Sequence, residues 1–239
     1  MSEKYKETDR MGDIICDDYR ILQVISRFGL TLGFGDHTVS ETCLAAGVDA
    51  PTFLAVVNFI RSNGRTSNLS DIVESLSLTA LMNYLRRSHD YFVKFRLPAI
   101  RRKLIEAIDC SARNQIAFLI LKFYDEFASE VGRHMDYEDK HIHTYVTDLM
   151  KGVKTSPDVN IHKLSHQHHD NHAQLEKSLS ELKSIIIKYY PEKENNNLLN
   201  AVLFDIFNCE QDLASHCQVE DYMFVPAVAQ IEKRLKDEQ

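Results

Sequence analysis

HMDYE and HCQVE, residues 134–138 and 216–220, each place a histidine four positions before a glutamate. Imidazole nitrogen and carboxylate oxygen are both ligands that iron, manganese or zinc accepts. On a helix, four residues advance about 40° past a full turn and rise about 6 Å, so both side chains of a pair can reach one point. A lone pair of this kind is more often a surface contact or a satisfied core pair. Two in one chain ask for a common cause.

The elements that must hold these residues are helical. Only 8 Gly and 5 Pro interrupt the chain, and no β-branched alternation competes with the helical texture. Residues 1–12 are polar and read as a flexible N-terminus. Residues 13–61 read as a small helical domain, in which TVSE (38–41) is a capping box, Gly47 suits a helix end, and Asp49 with Pro51 starts the next helix. The polar segment 62–76 reads as a linker. Residues 77–239 then predict four long helices, roughly 77–108, 111–150, 158–188 and 196–236. Ser111, Gly152 with Pro157, and Pro191 with three asparagines punctuate them. Short connections favour an all-α, up-down four-helix bundle.

Periodicity places the polar residues on that bundle. In the last helix Val202, Ile206, Cys209 and Leu213 lead to His216, Glu220, Met223 and Ala227 on one face. In the second, Phe123, Phe127 and Val131 lead to His134 and Glu138, then His141 and Tyr145. His89 shares the stripe of Leu85 and Phe92, while Leu175, Leu179, Leu182 and Ile186 extend backwards to His172 and His168. His169 falls to the side, and His162 and His166 lie further off. His89 to His134 spans 45 residues and His172 to His216 spans 44, a coarse internal repeat of a histidine helix followed by an HxxxE helix. A buried glutamate is costly unless paired or metal-bound. Four histidines and two glutamates at one level suit a dinuclear site with both carboxylates bridging. No cysteine is among these six donors, which speaks against structural zinc.

Totals exclude other classes. A net charge of −7 argues against a general nucleic-acid binder. No apolar run approaches a membrane span; FLAVVNFI (53–60) is too short, and the charged start lacks a signal-peptide core. Five cysteines without a CxxC are expected of a reduced, cytoplasmic protein. The apolar face of DAPTFLAVVNFI (49–60) is a candidate homodimer surface.

The set His89, H134MDYE138, His172 and H216CQVE220 resembles the hemerythrin-like (HHE) cation-binding fold. Within it the nearest likeness is to the di-iron iron–sulfur cluster repair proteins, often called RIC, through SHDYFVKFRLPAI and HCQVEDYMFVPAV. The resemblance implies a centre of two iron ions held by His89, His134, Glu138, His172, His216 and Glu220. It also implies a role in restoring iron–sulfur clusters damaged by nitric oxide or oxidants, with damaged iron–sulfur proteins as partners and iron donation as one route. Manganese and zinc are the other metals the donor set admits. Two features depart from the pattern. Gly33 and Phe34 stand where that family carries a Cys-Cys pair, and His168 recreates the HxxxH of oxygen-carrying hemerythrins, making it a further candidate ligand. His141 is expected beside the ligands rather than among them. The alternatives are a module that binds or senses O2 or NO without repair, and an interaction protein with a structural metal. No residue is assigned a catalytic role.

Overall fold

In the computed structural model, residues 4–65, 69–108, 115–153, 159–190 and 196–237 are described, without the side chains of 69–71 and 166–171. Every regular segment among them is helical, apart from one isolated bridge between Arg10 and Thr38. Short helices come first: α1 (Met11–Asp17), α2 (Ile21–Phe28), α3 (Val39–Ala46), α4 (Ala50–Arg61) and α5 (Leu69–Glu74). Four long runs follow. The first joins α6 (Leu78–Asp90), a π-helical segment π1 (Tyr91–Arg96) and α7 (Leu97–Ala107). The second joins α8 (Gln115–Tyr137), π2 (Glu138–Ile142) and α9 (His143–Met150). The third is α10 (Ile161–Tyr189), and the fourth joins α11 (Asn197–Val219), π3 (Glu220–Phe224) and α12 (Val225–Asp237). The all-α class and the four long helices are those the sequence predicts. Ser111, Pro157 and Pro191 lie outside the described residues.

Local chemistry sets the helix ends. Thr38 and Glu41 form the expected capping box, Thr38 Oγ1 accepting from the Glu41 amide at 3.2 Å while Glu41 Oε2 accepts from the Thr38 amide at 2.8 Å. Such a cap contributes about 1 kcal/mol. Gly47 ends α3 with φ 65°, where a side chain would be strained. Asp49 caps α4 by accepting from the Thr52 amide at 2.9 Å.

By contact the chain divides into two units. One comprises Met1–Ser88, Asp148–His162 and Ser215–Gln239, the other His89–Thr147 and Lys163–Ala214. In the first unit the Phe28 ring lies 5.3 Å from Phe53 and 5.2 Å from Tyr84, and Arg27 sits over Tyr84 at 5.9 Å. Thr52 Oγ1 accepts from the Ser77 amide at 2.8 Å, and Phe59 meets Tyr222 at 6.3 Å. Phe53, Val56, Val57, Phe59 and Ile60 are all buried here, so α4 spends its apolar face inside the unit. The surface expected to support a homodimer is therefore a core surface.

The second unit holds parts of all four runs. His89 approaches Glu138 and Asp139, Leu97 O accepts from the Tyr124 hydroxyl at 2.7 Å, and Arg101 grips Asp125 at 2.6 and 2.9 Å. From His89 to Leu97 the partner falls from Glu138 to Tyr124, so these runs are antiparallel. His172 meets His134 and Ser178 meets Glu130, which sets α10 antiparallel to α8. Lys183 pairs with Glu210, and Arg96 reaches Asp205 at 3.1 Å, so the four segments close a ring. Leu175, Leu179, Leu182 and Ile186 are buried as expected. Phe123 is not: it is half-buried, and Tyr124 takes its place with its hydroxyl satisfied by Leu97.

Candidate metal centre

In the second unit the ring carries His89, His134, Glu138 and His172 inward, each buried. His134 Nε2 lies 2.8 Å from Glu138 Oε1 and 3.0 Å from His172 Nε2, and His172 Nε2 lies 3.8 Å from the same Glu138 oxygen. Three lone-pair donors from two helices thus converge on one point. On the other side, His89 Nε2 lies 3.2 Å from Glu138 Oε2. Glu138 is completely buried, yet neither of its oxygens completes a well-formed hydrogen bond among the described residues, although three imidazoles crowd it. One proton between two donors can satisfy one pair at a time, whereas a cation accepts every lone pair aimed at it. The donor set therefore fits a metal, with Glu138 offering one oxygen to each side.

The electrostatics agree with that crowding. Burial alone would raise the Glu138 carboxyl, but His134, His172 and His89 beside it hold it well below the ordinary range. Burial likewise works to lower the His89 imidazole, and the bond to Asp139 with the Glu138 carboxylate close by overcomes it, pushing it up to about 9.

His216 and Glu220 belong to the first unit, both buried, on the last turn of α11 and the first residue of π3. The stripe running through Val202, Ile206, Cys209, Leu213 and Met223 is buried throughout. The side chains of His168 and His169 lie outside the described residues; His162 is exposed. Gly33 and Phe34 occupy the loop between α2 and α3, with Gly33 at φ 103°.

Two residues escaped sequence reasoning. Asp139 Oδ1 lies 3.0 Å from His89 Nδ1 and 2.8 Å from His143 Nδ1, and the two imidazoles stack 5.5 Å apart at 11°. His143 is fully buried. His141, expected near the ligands, instead turns outward, stacks on Tyr137 at 4.1 Å and bonds the Tyr137 carbonyl at 2.9 Å. The reason is π2. The His143 amide reaches back to the Glu138 carbonyl, five residues, so the helix widens and its inward face moves on by about one residue. Ile142, His143 and Val146 come inside together with the expected Tyr145, while His141, which strict α periodicity would also favour, is left outside. The i,i+4 offset of Asp139 and His143 was the available signal, masked by a period that pointed both away.

A helical bundle presenting histidines and a buried carboxylate to a cation is the class this geometry defines. The model of the hemerythrin HHE cation binding domain family matches residues 80–228, and the chain belongs to that family. No curated protein matches the chain. Among the described residues no helix is long and apolar enough to cross a membrane.

Proposed function

We propose that this chain is a non-haem di-iron protein that helps restore iron–sulfur clusters damaged by nitric oxide or oxidants, donating iron to damaged iron–sulfur proteins in the cytoplasm. The observation that carries the reading is the convergence of His134, His172 and Glu138 on one side and His89 on the other, around a carboxylate buried without well-formed hydrogen bonds. The proposed ligand set adds His216 and Glu220, on the strength of the repeated HxxxE and the 45- and 44-residue spacings. Bound iron would supply reversible redox chemistry and affinity for small diatomic ligands. The chain's own residues fix the donor atoms, keep bulk water from Glu138, and release protons as the imidazoles take up a cation.

The runner-up reading is a module that binds or senses O2 or NO without repair. Metal analysis with an optical spectrum, followed by transfer to an apo-cluster protein, separates them. About two iron ions per chain and transfer of iron to the apo-cluster protein support repair. Full iron content without transfer favours the binding module. Manganese or zinc in place of iron keeps the site and overturns the iron assignment. Replacing Glu138 or Glu220 by Ala should abolish dinuclear binding, and full occupancy in either variant would show that the bridges are misassigned.

A further inference from the structure

Glu138 and Asp139 are consecutive, and on a regular α-helix consecutive side chains diverge by about 100°. Here both reach the same imidazole on another helix. Glu138 Oε2 faces His89 Nε2 at 3.2 Å, and Asp139 Oδ1 faces His89 Nδ1 at 3.0 Å. Asp139 is itself held: the same oxygen receives His143 Nδ1 at 2.8 Å, from a ring that is fully buried and stacked on His89. The Asp139 side chain is 41% exposed, so without that second contact its carboxylate is free to swing into water.

We propose that Asp139, held by His143, is a positioning residue that fixes His89 as the Nδ1–H tautomer and so presents the Nε2 lone pair on the Glu138 side. The proposal rests on the metal-centre reading above and deepens it. A neutral imidazole has one N–H, and whichever nitrogen carries it cannot bind a cation. A carboxylate at Nδ1 accepts only if the proton sits there, which leaves Nε2 as the donor atom and raises its basicity. His143 satisfies the carboxylate from the opposite side, so Oδ1 accepts two N–H groups in one place and the ring plane of His89 is set before a cation arrives. Pre-setting one ligand in this way commonly changes metal affinity by about 10- to 100-fold.

The test uses the full-length chain, with zinc as a diamagnetic probe. In wild type, nitrogen NMR of the metal-free protein, followed with rising pH until the His89 ring is neutral, should show its proton on Nδ1. Asp139→Ala should lose that signature and bind zinc roughly 10- to 100-fold more weakly. Asp139→Asn keeps an accepting oxygen, so it should keep the tautomer and lose only part of the affinity. His143→Ala should fall between wild type and Asp139→Ala. If Asp139→Ala does not fold, the Asn variant and the wild-type tautomer decide alone. A wild-type His89 protonated on Nε2, or an Asp139→Ala protein with unchanged zinc affinity, overturns the proposal. Failure of wild type to bind zinc or iron would instead overturn the metal-centre reading, with the metal-free NMR still deciding the tautomer.

Discussion

Glu138 is the residue around which the others are arranged, since three imidazoles face its two oxygens and no water-exposed surface remains on it. His172 stands next, because its Nε2 approaches both His134 and Glu138. Replacing His172 by Ala should therefore remove most bound cation, whereas His141→Ala should leave metal content unchanged, as inductively coupled plasma analysis of the purified proteins would show. The His89 shift makes a second prediction. Its value of about 9 lies above the ordinary 6.5, so in the metal-free protein its pairing stabilises the fold fully below about 6.5 and the gain is lost as pH rises through about 9. A cation needs the lone pair, so binding at a pH of about 7.5 should release about one proton from this ring. Calorimetry in buffers of different ionisation enthalpy reads that number, and no release would mean that His89 is not a ligand. The burial of His89, His134, Glu138 and His172 was legible because each lies on an apolar stripe that α periodicity reads correctly. Asp139 and His143 were not, because their placement depends on a turn that is not α-helical.

That turn belongs to the helices. Three π-helical segments occur among the described residues, each beginning at or just after a histidine or glutamate of the proposed set. Two have a cause in the sequence. Pro98 and Pro226 lack the amide that would bond residue i−4, and each ring would clash with that carbonyl, so π1 and π3 widen ahead of them. π2 contains no proline. A single π turn accommodates one extra residue while leaving the faces before and after it in place. Deleting the exposed Lys140 should then close π2 to α-helix, with Phe127, Val131, Val146 and Leu149 keeping their buried register. Glu138 and Asp139 would no longer embrace one imidazole. The expected result is a protein with near-native helical content and melting temperature and roughly tenfold or weaker cation affinity. Unchanged affinity would show that the wide turn has no part in the site.

At the level of the whole chain, composition and contact divide the molecule at different places. Composition shifts at the polar segment 62–76, whereas contact joins the N-terminal helices to the start of α6 and to residues 215–239. A linear reading detects where polarity changes, but it does not detect which distant segments cover one another's apolar surface. Tyr84 shows the difference. It is completely buried, under Phe28 and Arg27 from α2, and it lies one and a half turns before His89 on a continuous helix. Within this first unit Phe28 also packs on Phe53, so its ring links α2, α4 and α6. Removing a buried phenylalanine side chain costs about 3–5 kcal/mol, through lost transfer energy and the cavity left behind. For a chain of this size each kcal/mol lowers the melting temperature by about 2–4 °C. Phe28→Ala should therefore melt at least about 6 °C below wild type, although residue 28 lies well before the matched family region at 80–228. At saturating cation the variant should still bind the wild-type number of ions, because Phe28 donates no ligand and loading favours the folded state by mass action. A melting temperature within about 2 °C of wild type would mean that the N-terminal helices contribute little to holding α6 in place.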